Sequence, residues 1–293
     1  MVTVTVALPC SITLLNVFLH SMGNLLLWKS YNWNNVTTQQ KVIFHISVVE
    51  LILNCNWLVM HVIKLLEYSS LTSYIPYFFC IHLALARVLY LMMMFMTLDR
   101  LTAVLLGLKY RVYWTVKKTN ITLMFIWCIG LVLGVCFILL YRYIGKWSMK
   151  IGHTVYSVAA SFFHLFVVLF TYTIIFWKYH KSRNSVQNSN TSDGHRNVST
   201  LQTFIGSRFY VSIFIVFTYF LFDTIPFCVI AFLNTRDLET VIFLLLHLGY
   251  TADAVIYIFL QKDVRTQFFI LIRCRNHAPN RRTRTIAMVY QTQ

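Results

Sequence analysis

An acidic and a basic residue stand side by side where a long apolar run ends. The run LMMMFMTL, residues 91–98, is followed by Asp99 and Arg100, and a basic, aromatic segment then continues to Trp114. The simplest interpretation is that Arg100 marks a membrane boundary and that Asp99 only pairs with it. Whether the pair has a further role depends on the chain around it.

Ionisable residues also occur inside apolar segments, where they are expensive and mark functional sites by default. Glu50 and Asp253 are two such carboxylates. Two carboxylates that face one cavity either share a proton or bind a cation. The alternative is that each acid is neutral and is hydrogen bonded by Asn24, Asn54 or water.

The composition is that of an integral membrane protein rather than a soluble domain. Of the 293 residues, 58% are hydrophobic and 12% are charged, whereas soluble domains have about 25% charged residues. Apolar segments recur that are long enough to cross a hydrocarbon core of about 30 Å as helices. The sequence predicts an all-α membrane protein with seven transmembrane helices, at about 6–28, 42–66, 74–98, 121–143, 154–177, 209–233 and 239–260.

The distribution of Lys and Arg predicts the orientation of these spans. With the N-terminus outside, 19 basic residues fall in cytoplasmic segments and five fall in outer segments, while Arg87 lies inside the third span. This asymmetry favours a cytoplasmic C-terminus. The net charge of +16 is then a topology signal, with some attraction to anionic lipids of the bilayer. Binding of nucleic acid is not expected.

The third-span motif resembles that of the rhodopsin-like (class A) G-protein-coupled receptors, in which an acid-Arg-aromatic triplet ends the third helix. Here the triplet is DRL and the following loop contains GLKYR, residues 107–111. Further motifs match in the same order along the chain. They are Gly23-Asn24, HISVVELIL at 45–53, Trp127, Tyr172, FLFDTIPF at 220–227, DAVIY at 253–257 and VRTQFFILIRC at 264–274.

The resemblance implies a seven-helix bundle with a short amphipathic eighth helix, about 262–273, and a cytoplasmic tail, 274–293. It also implies an activation switch, in which Arg100 leaves Asp99 and meets tyrosines of the fifth and seventh helices. A guanidinium suits this role because it stays charged and presents several donors in a planar fork. Pro226 would supply a kink in the sixth helix. The expected switch residues are Asp99, Arg100, Tyr172, Tyr257, Pro226 and Phe220.

Two more sites follow from the resemblance. The family binds a sodium ion at positions that correspond to Glu50, Asp253 and Asn24. Its ligand pocket lies near the outer halves of the third, fifth, sixth and seventh helices, where this chain has His82, Phe227, His247, Arg87 and Asp223. His82 replaces the acid of amine receptors, so a monoamine ligand is not expected. No Lys occurs between Thr240 and Leu260, so we expect no retinal Schiff base.

The chain also departs from the family. Thr224 replaces the Trp of the sixth helix, and the second outer loop, about 142–153, has no Cys. A disulfide between Cys10 and Cys80 is one alternative. Cys274 follows the basic amphipathic segment and is a candidate for palmitoylation.

The sequence therefore predicts a plasma-membrane receptor that binds an unidentified extracellular ligand and activates a heterotrimeric G protein. Arrestin and a receptor kinase are further expected partners. The alternative is a seven-span ion-coupled transporter or channel that uses Glu50, Asp253 and Arg87 as an ion path. We expect no enzyme, because HExxH, GxSxG and paired Asp motifs on facing spans do not occur.

Overall fold

The computed structural model describes residues 2–31, 37–66, 69–106, 109–144, 159, 162–178, 180–181, 214, 217–226, 236–260, 264–266 and 269. Nearly all of these residues are helical, and the described ranges contain no β-strand. The longer helices are α1 (Val2–Ser30), α2 (Thr38–Leu65), α3 (Ile75–Leu106), α4 (Val116–Ile144), α5 (Phe162–Lys178), α6 (217–226) and α7 (Arg236–Leu260). Single turns lie at Ser69–Thr72 and Tyr110–Tyr113.

The helices confirm the predicted all-α membrane class. Four of them are long and apolar enough to cross a bilayer, over Leu8–Ser30, Thr38–Leu65, Ile75–Leu106 and Val116–Tyr143. A helix of 23 residues, the shortest of these, is about 35 Å long at 1.5 Å per residue. Shorter apolar helices cover Phe162–Lys178 and Leu245–Ile256. The chain is a multi-pass membrane protein, and the number of seven spans stays a prediction.

Helix α3 continues beyond the predicted third span. The apolar run ends at residue 98, but the helix ends at Leu106, so Asp99 and Arg100 lie about two turns inside it. The residues that follow Arg100 are LTAVLL, which contain no Gly or Pro to stop the helix. The acid and base therefore occupy rigid helical positions. The end of the bundle that contains them is called the Arg100 end below.

Helix α2 begins with a capping box at the Arg100 end. The backbone N–H of Gln40 donates to Thr37 Oγ1 at 3.3 Å, and the Thr37 backbone N–H donates to Gln40 Oε1 at 3.0 Å. These two bonds satisfy amides that the first helical turn leaves without partners. They set the start of α2, which contributes more buried polar residues than any other described helix.

Helices α2, α3 and α4 pack around one apolar core. Gly130 and Gly134 of α4 allow a close approach to α3, since a Cβ on Gly130 would lie 2.1 Å from Val88 Cγ2 and one on Gly134 would lie 3.4 Å from Ala84 Cβ. Small residues at such crossings let helix backbones meet inside a membrane. The core is formed by Val42, Ile43, Ile46, Val49, Leu53, Val88, Leu89, Met92, Met93, Met96, Leu123, Ile126 and Tyr250.

Helix α7 packs against α1 and α6. Gly249 of α7 faces α6 closely, because a Cβ there would lie 2.6 Å from the Cβ of Phe222. At the Arg100 end, Ile258 and Val264 join Leu26, Leu27 and Tyr31 in a second apolar cluster. Of the predicted amphipathic helix, 264–266 and 269 are helical; its other positions lie outside the described residues.

Helix α5 is attached to α3 at two levels. The ring of His164 lies 5.2 Å from that of Tyr90 and 6.1 Å from that of Tyr219 on α6. At the Arg100 end, Lys178 Nζ donates to the carbonyls of Val104 at 3.1 Å and Leu105 at 3.2 Å. The last carbonyls of a helix lack intrahelical donors, so an ammonium group stabilises the end of α3.

We expect Gly130→Ala to destabilise the protein by about 1–3 kcal/mol, the usual range for overpacking. Val88 is 1% exposed and its branched side chain is stiff, so it cannot move away easily. Gly23→Ala is the matched control, because a Cβ at Gly23 meets nothing within 4 Å. Thermal unfolding in detergent micelles should give a lower midpoint for Gly130→Ala only. Equal midpoints for the two variants would contradict the close α3–α4 contact.

Candidate functional site

The Asp99 carboxylate is held from two sides. Arg100 Nε donates to Asp99 Oδ2 at 3.1 Å, and Arg100 Nη2 contacts the same oxygen. The hydroxyl of Tyr110, from the single turn after α3, donates to Asp99 Oδ1. All three residues are buried. The adjacent acid and base are therefore more than a membrane-boundary pair, because a third residue fixes the free oxygen of the acid.

Tyr110 lies outside the apolar spans, and its phenol is kept neutral by its surroundings. Burial raises the pKa of Tyr110 most, and the charge of Asp99 and the hydrogen bond to it raise this pKa further. A hydrogen bond from Thr38 and the charge of Arg100 act in the opposite direction. The hydroxyl therefore keeps its proton, and it remains a donor to Asp99 over the whole physiological pH range.

The network continues from Tyr110 into the starts of α2 and α4. Thr119 Oγ1 donates to Thr38 Oγ1 at 3.1 Å, and Lys41 Nζ donates to Asn120 Oδ1 at 2.8 Å. Arg100 also interacts electrostatically with Tyr172 of α5. Contacts at this end of the bundle therefore join α2 to α4 and bring α5 close to the Arg100 guanidinium. The structure brings together the predicted switch residues Asp99, Arg100 and Tyr172.

Helix α6 contains a local irregularity close to Pro226, where the resemblance implies a kink. Residues Phe220–Thr224 form a π-helical turn immediately before the buried Pro226. Such turns insert one residue into an α-helix and are frequent at functional sites. Phe220 is half-buried in this turn. The side chains of Asp223, Phe227 and Tyr257 lie outside the described residues, so their predicted roles stay predictions.

A second polar cluster lies deeper, between α1, α2 and α7. Asn24 Nδ2 donates to the carbonyls of His20 at 2.9 Å and Ser47 at 3.1 Å. Asn54 Nδ2 donates to the carbonyl of Glu50 at 2.8 Å. Asn24 and Asn54 therefore use their amide nitrogens on backbone oxygens. This leaves the buried Oδ1 atoms of Asn24 and Asn54 without hydrogen-bond donors.

Glu50 lies opposite a histidine that the motifs do not include. Glu50 Oε2 lies 3.7 Å from His20 Nδ1, and both side chains are fully buried. His20 Nε2 lies 2.9 Å from the carbonyl of Tyr250, and because a carbonyl can only accept, Nε2 carries a proton. A single further proton on Nδ1 or on the carboxyl makes the pair neutral overall. Burial favours this state because an uncompensated charge inside the bundle is expensive.

The expected sodium residues are only partly brought together. Asn24 and Glu50 share the α1–α2 interface, whereas the Asp253 carboxylate accepts a hydrogen bond from Thr218 of α6. The buried oxygens of Asn24 and Ser47 without hydrogen bonds are hard donors of the kind that suits sodium. Among the described residues, no group of three His, Cys, Asp or Glu side chains could hold a metal ion.

A third cluster lies toward the opposite end of the bundle and is formed by aromatic rings. The ring of Trp57 stacks on that of His61 at 5.5 Å, meets that of His82 edge-on at 4.7 Å and lies 6.0 Å from that of His247. All four side chains are buried. Two of the predicted pocket residues, His82 and His247, thus lie around one indole. Arg87, another predicted pocket residue, is also buried on α3.

The alternative disulfide does not form in this structure. Cys10 and Cys80 are both free thiols. Cys80 faces α4, where its Sγ lies 3.6 Å from the carbonyl of Phe137, while Cys10 belongs to α1, which packs against α2 and α7. Cys274, the predicted palmitoylation site, lies outside the described residues.

Sequence reasoning missed His20, Tyr110 and His61 as members of these clusters. His20 lies four residues before Asn24, and His61 lies four residues after Trp57. Residues at this spacing share one face of a helix, so each could have been grouped with its neighbour. Tyr110 belongs to the quoted GLKYR segment, but its contact with Asp99 depends on how the turn after α3 folds back.

Comparison with known proteins adds no identification. No family model matches the chain, and a search of curated proteins finds no significant match.

We expect Tyr110→Phe to lower the free energy of unfolding by about 1.5–3 kcal/mol, the range for a hydrogen bond to a charged group. Tyr113→Phe on the same turn is the control, because Tyr113 is 57% exposed. Because the pKa of Tyr110 is raised in the folded protein, its contribution to the free energy of unfolding also depends on pH. Its contribution to stability is complete below the ordinary pKa of 10.0, and it is lost as the pH rises through the raised value.

Alkaline unfolding in micelles should therefore lose part of its pH dependence in Tyr110→Phe and keep it in Tyr113→Phe. An identical alkaline profile for wild type and Tyr110→Phe would show that the contact with Asp99 does not form.

We expect His20→Leu to cost about 3–5 kcal/mol of stability, because it removes the imidazole that lies 3.7 Å from the buried Glu50 carboxylate. Adding Glu50→Gln to His20→Leu should restore part of this loss, since the residual charge is removed. A double-mutant cycle on unfolding in micelles measures the coupling, which should be about 0.5–3 kcal/mol. Simple additivity of the two single losses would show that His20 and Glu50 act independently.

Proposed function

We propose that the protein is a receptor of the rhodopsin-like G-protein-coupled type, in which Asp99 and Arg100 form a resting lock. The observation that carries the proposal is the state of Asp99, whose two oxygens are occupied by Arg100 and by Tyr110. Such a lock holds the guanidinium at the Arg100 end of the bundle. Release of Arg100 from Asp99 would open the surface that a heterotrimeric G protein enters.

The surroundings of the lock support a movable fifth and sixth helix. Arg100 acts on Tyr172 of α5 across the helix interface, so a partner for the released guanidinium is nearby. The π-helical turn before Pro226 interrupts the regular hydrogen bonds of α6, and a helix bends most easily at such a point. Tyr257 on α7 is the other proposed partner of Arg100.

The orientation proposed for this receptor has the N-terminus outside and the Arg100 end in the cytoplasm of a plasma-membrane protein. Seven spans, a short eighth helix after α7, and arrestin and a receptor kinase as further partners belong to the same proposal. The extracellular ligand would approach the opposite end, near His82, His247 and Arg87.

Sodium is proposed as an ion held at Asn24, Glu50 and Asp253. Bound there, it would supply a compensating positive charge for the carboxylates. His20 competes for the same role, because its ring already lies beside Glu50 at 3.7 Å.

An ion-coupled transporter or channel is the second candidate. The His20–Glu50 pair favours it, because a buried acid and a buried imidazole side by side can exchange a proton. Asp253 lies on the neighbouring α7, where Thr218 contacts it. The lock around Asp99 at the end of α3 has no evident role in such a path.

The test is second-messenger output in cells that express the wild type and Arg100→Ala at matched surface levels. Cyclic AMP and calcium are measured together, with a broad peptide and metabolite library as stimulus. We expect a basal or ligand-evoked signal in the wild type that Arg100→Ala abolishes. Arg142→Ala is the control, because Arg142 is an exposed arginine in the last turn of α4, at the opposite end of the bundle.

The receptor proposal is contradicted if neither protein signals and the cells show ion currents or uptake that depend on Glu50 and Asp253. That outcome supports the transporter instead.

A further inference from the structure

We propose that the starts of α2 and α4 form a binding site for the head group of an anionic phospholipid, such as phosphatidylserine. The site, called the lysine patch below, consists of Lys41 on α2 and of Tyr113, Lys117, Lys118 and Asn120 at and just before the start of α4. The inference goes beyond the receptor function and requires only that the chain spans a membrane. It rests on the positions, the exposure and the charge of these residues.

The patch joins side chains from two helices that are far apart in the sequence. Lys41 Nζ donates to Asn120 Oδ1 at 2.8 Å across a separation of 79 positions, so the ammonium group of α2 lies against the start of α4. One residue before Asn120, Thr119 Oγ1 donates to Thr38 Oγ1 at 3.1 Å, and both threonines are buried. This buried hydrogen bond joins the two helix starts and keeps Lys41 beside α4.

Two further lysines lie in the first turn of α4. Lys117 and Asn120 are three residues apart and therefore share one face of the helix, which is the face that Lys41 approaches. Lys118 Nζ donates to the carbonyl of Tyr113 at 2.7 Å, and this contact holds it against the preceding turn. Lys117 and Lys118 are exposed. Three lysines from two helices therefore surround the start of α4.

The neighbouring sequence contains no acid to balance these lysines. Residues 1–49 and 101–192, which include the starts of α2 and α4, contain neither Asp nor Glu. The acid that precedes the second stretch, Asp99, already contacts Arg100 and Tyr110. Within the described part of the chain, the ion pairs involve His20 and Arg100 and none of the patch lysines. The positive charge of the patch is therefore available to an external anion.

Neither helix stability nor membrane topology accounts for this arrangement. The helix dipole opposes a cation in the first turn of a helix, and α4 begins at Val116, so Lys117 and Lys118 weaken its start slightly. A topology signal requires only that basic residues lie close to a span. It does not require that Lys41 contacts a neighbouring helix.

The helix surface next to the patch fits the tails of the same lipid. From Lys117, one face of α4 continues through Ile121 and Met124, four and seven residues further along, and their side chains are 53% and 65% exposed. Both belong to a helix that is long and apolar enough to cross a bilayer. A lipid whose head group contacts the lysines can therefore lay its acyl chains along α4. A free phosphate would use only the lysines, so this continuity favours a lipid.

Tyr113 lies at the level expected for lipid head groups. Its side chain is 57% exposed, and the next residue, Trp114, lies 6.0 Å from Phe95 between ring centroids. Tyr and Trp are enriched where a bilayer meets water, because their rings are apolar and their polar atoms remain hydrated. In the orientation proposed above, this end faces the cytoplasmic leaflet, which contains the anionic lipids.

The test is native mass spectrometry of the purified full chain in neutral detergent, titrated with phosphatidylserine and phosphatidylcholine in equal amounts. Neutral micelles have no surface potential, so lipid retention reports the site rather than attraction to a charged bilayer. We expect the wild type to prefer phosphatidylserine. The variant with Lys41→Gln, Lys117→Gln and Lys118→Gln should lose at least about tenfold of this preference, since each basic residue near anionic lipid contributes about fivefold.

A variant with Lys29→Gln, Lys181→Gln and Arg265→Gln is the matched control. These three residues are exposed and lie at the same end of the bundle, but on α1, after α5 and after α7. The control therefore removes the same charge outside the patch. It should keep most of the preference, because exposed charges that do not contact the lipid are largely screened at about 0.1 M salt.

Two further measurements keep the result interpretable. Thermal unfolding without added lipid checks that each variant folds. If the triple variant does not fold, Lys117→Gln alone, at an exposed position, should still lower the preference about fivefold. Glycerophosphoserine, which has the head group without the tails, should not displace the bound lipid at the same concentration.

Three results contradict the proposal. Equal losses of preference in the patch and control variants would show a general effect of charge. Equal binding of phosphatidylserine and phosphatidylcholine to the wild type would favour an acidic protein surface as the partner of the lysines. Displacement of the lipid by glycerophosphoserine at the same concentration would identify a site for a free anion in place of a lipid site.

Discussion

Inside a bilayer a polar group can find a partner only in the protein, and this constraint accounts for the arrangement of α1, α2 and α7. Asn24 bonds the backbone of α2, Asn16 bonds the backbone of α7, and His20 contacts both helices at once. Each of these side chains would be exposed to lipid if its helix turned by half a revolution. The polar contacts therefore fix the rotation of α1, while apolar packing alone would tolerate several rotations.

Apolar packing performs the corresponding task for α3 and α4. Lipid tails are as apolar as Leu side chains, so burial of Leu between these helices gives little driving force. The association of α3 with α4 therefore depends on close packing. The two glycines of α4 allow this packing where they face Val88 and Ala84 of α3. A hydrogen bond from Trp127 Nε1 to His45 Nδ1, at 3.2 Å, adds a polar contact between α4 and α2. The rest of α4 faces outward, as the 72% exposure of Leu131 shows.

The three polar clusters lie at three levels of this bundle and differ in chemistry. The Arg100 end has a charged lock with a neutral phenol, the middle has an acid beside an imidazole, and the opposite end has three imidazoles around an indole. Helix α1 links the middle cluster to the histidine cluster. Its Asn16 Nδ2 donates to the carbonyl of His247, and its His20 lies beside Glu50.

Several features followed from the sequence by itself because they depend on local chemistry. Runs of about 20 apolar residues have to become helices in a membrane, whatever surrounds them. Buried acids such as Glu50 and Asp253 could be marked as unusual from their neighbours alone. The motif order also placed Asp99 and Arg100 at the end of the third span, whereas the helix continues for about two turns beyond them, to Leu106.

Only the tertiary structure decided which partners these groups have. Glu50 meets His20, 30 positions away in the chain, and no spacing rule connects residues on two different helices. The same holds for Trp57, whose ring meets His82 and His247 from two other helices. The rotation and register of a helix depend on its packing against all neighbouring helices, so neither can be predicted from a single side chain. The sequence therefore determined which residues can form ion pairs, hydrogen bonds or ring contacts inside the membrane. The packing of the helices decided which of these residues contact one another.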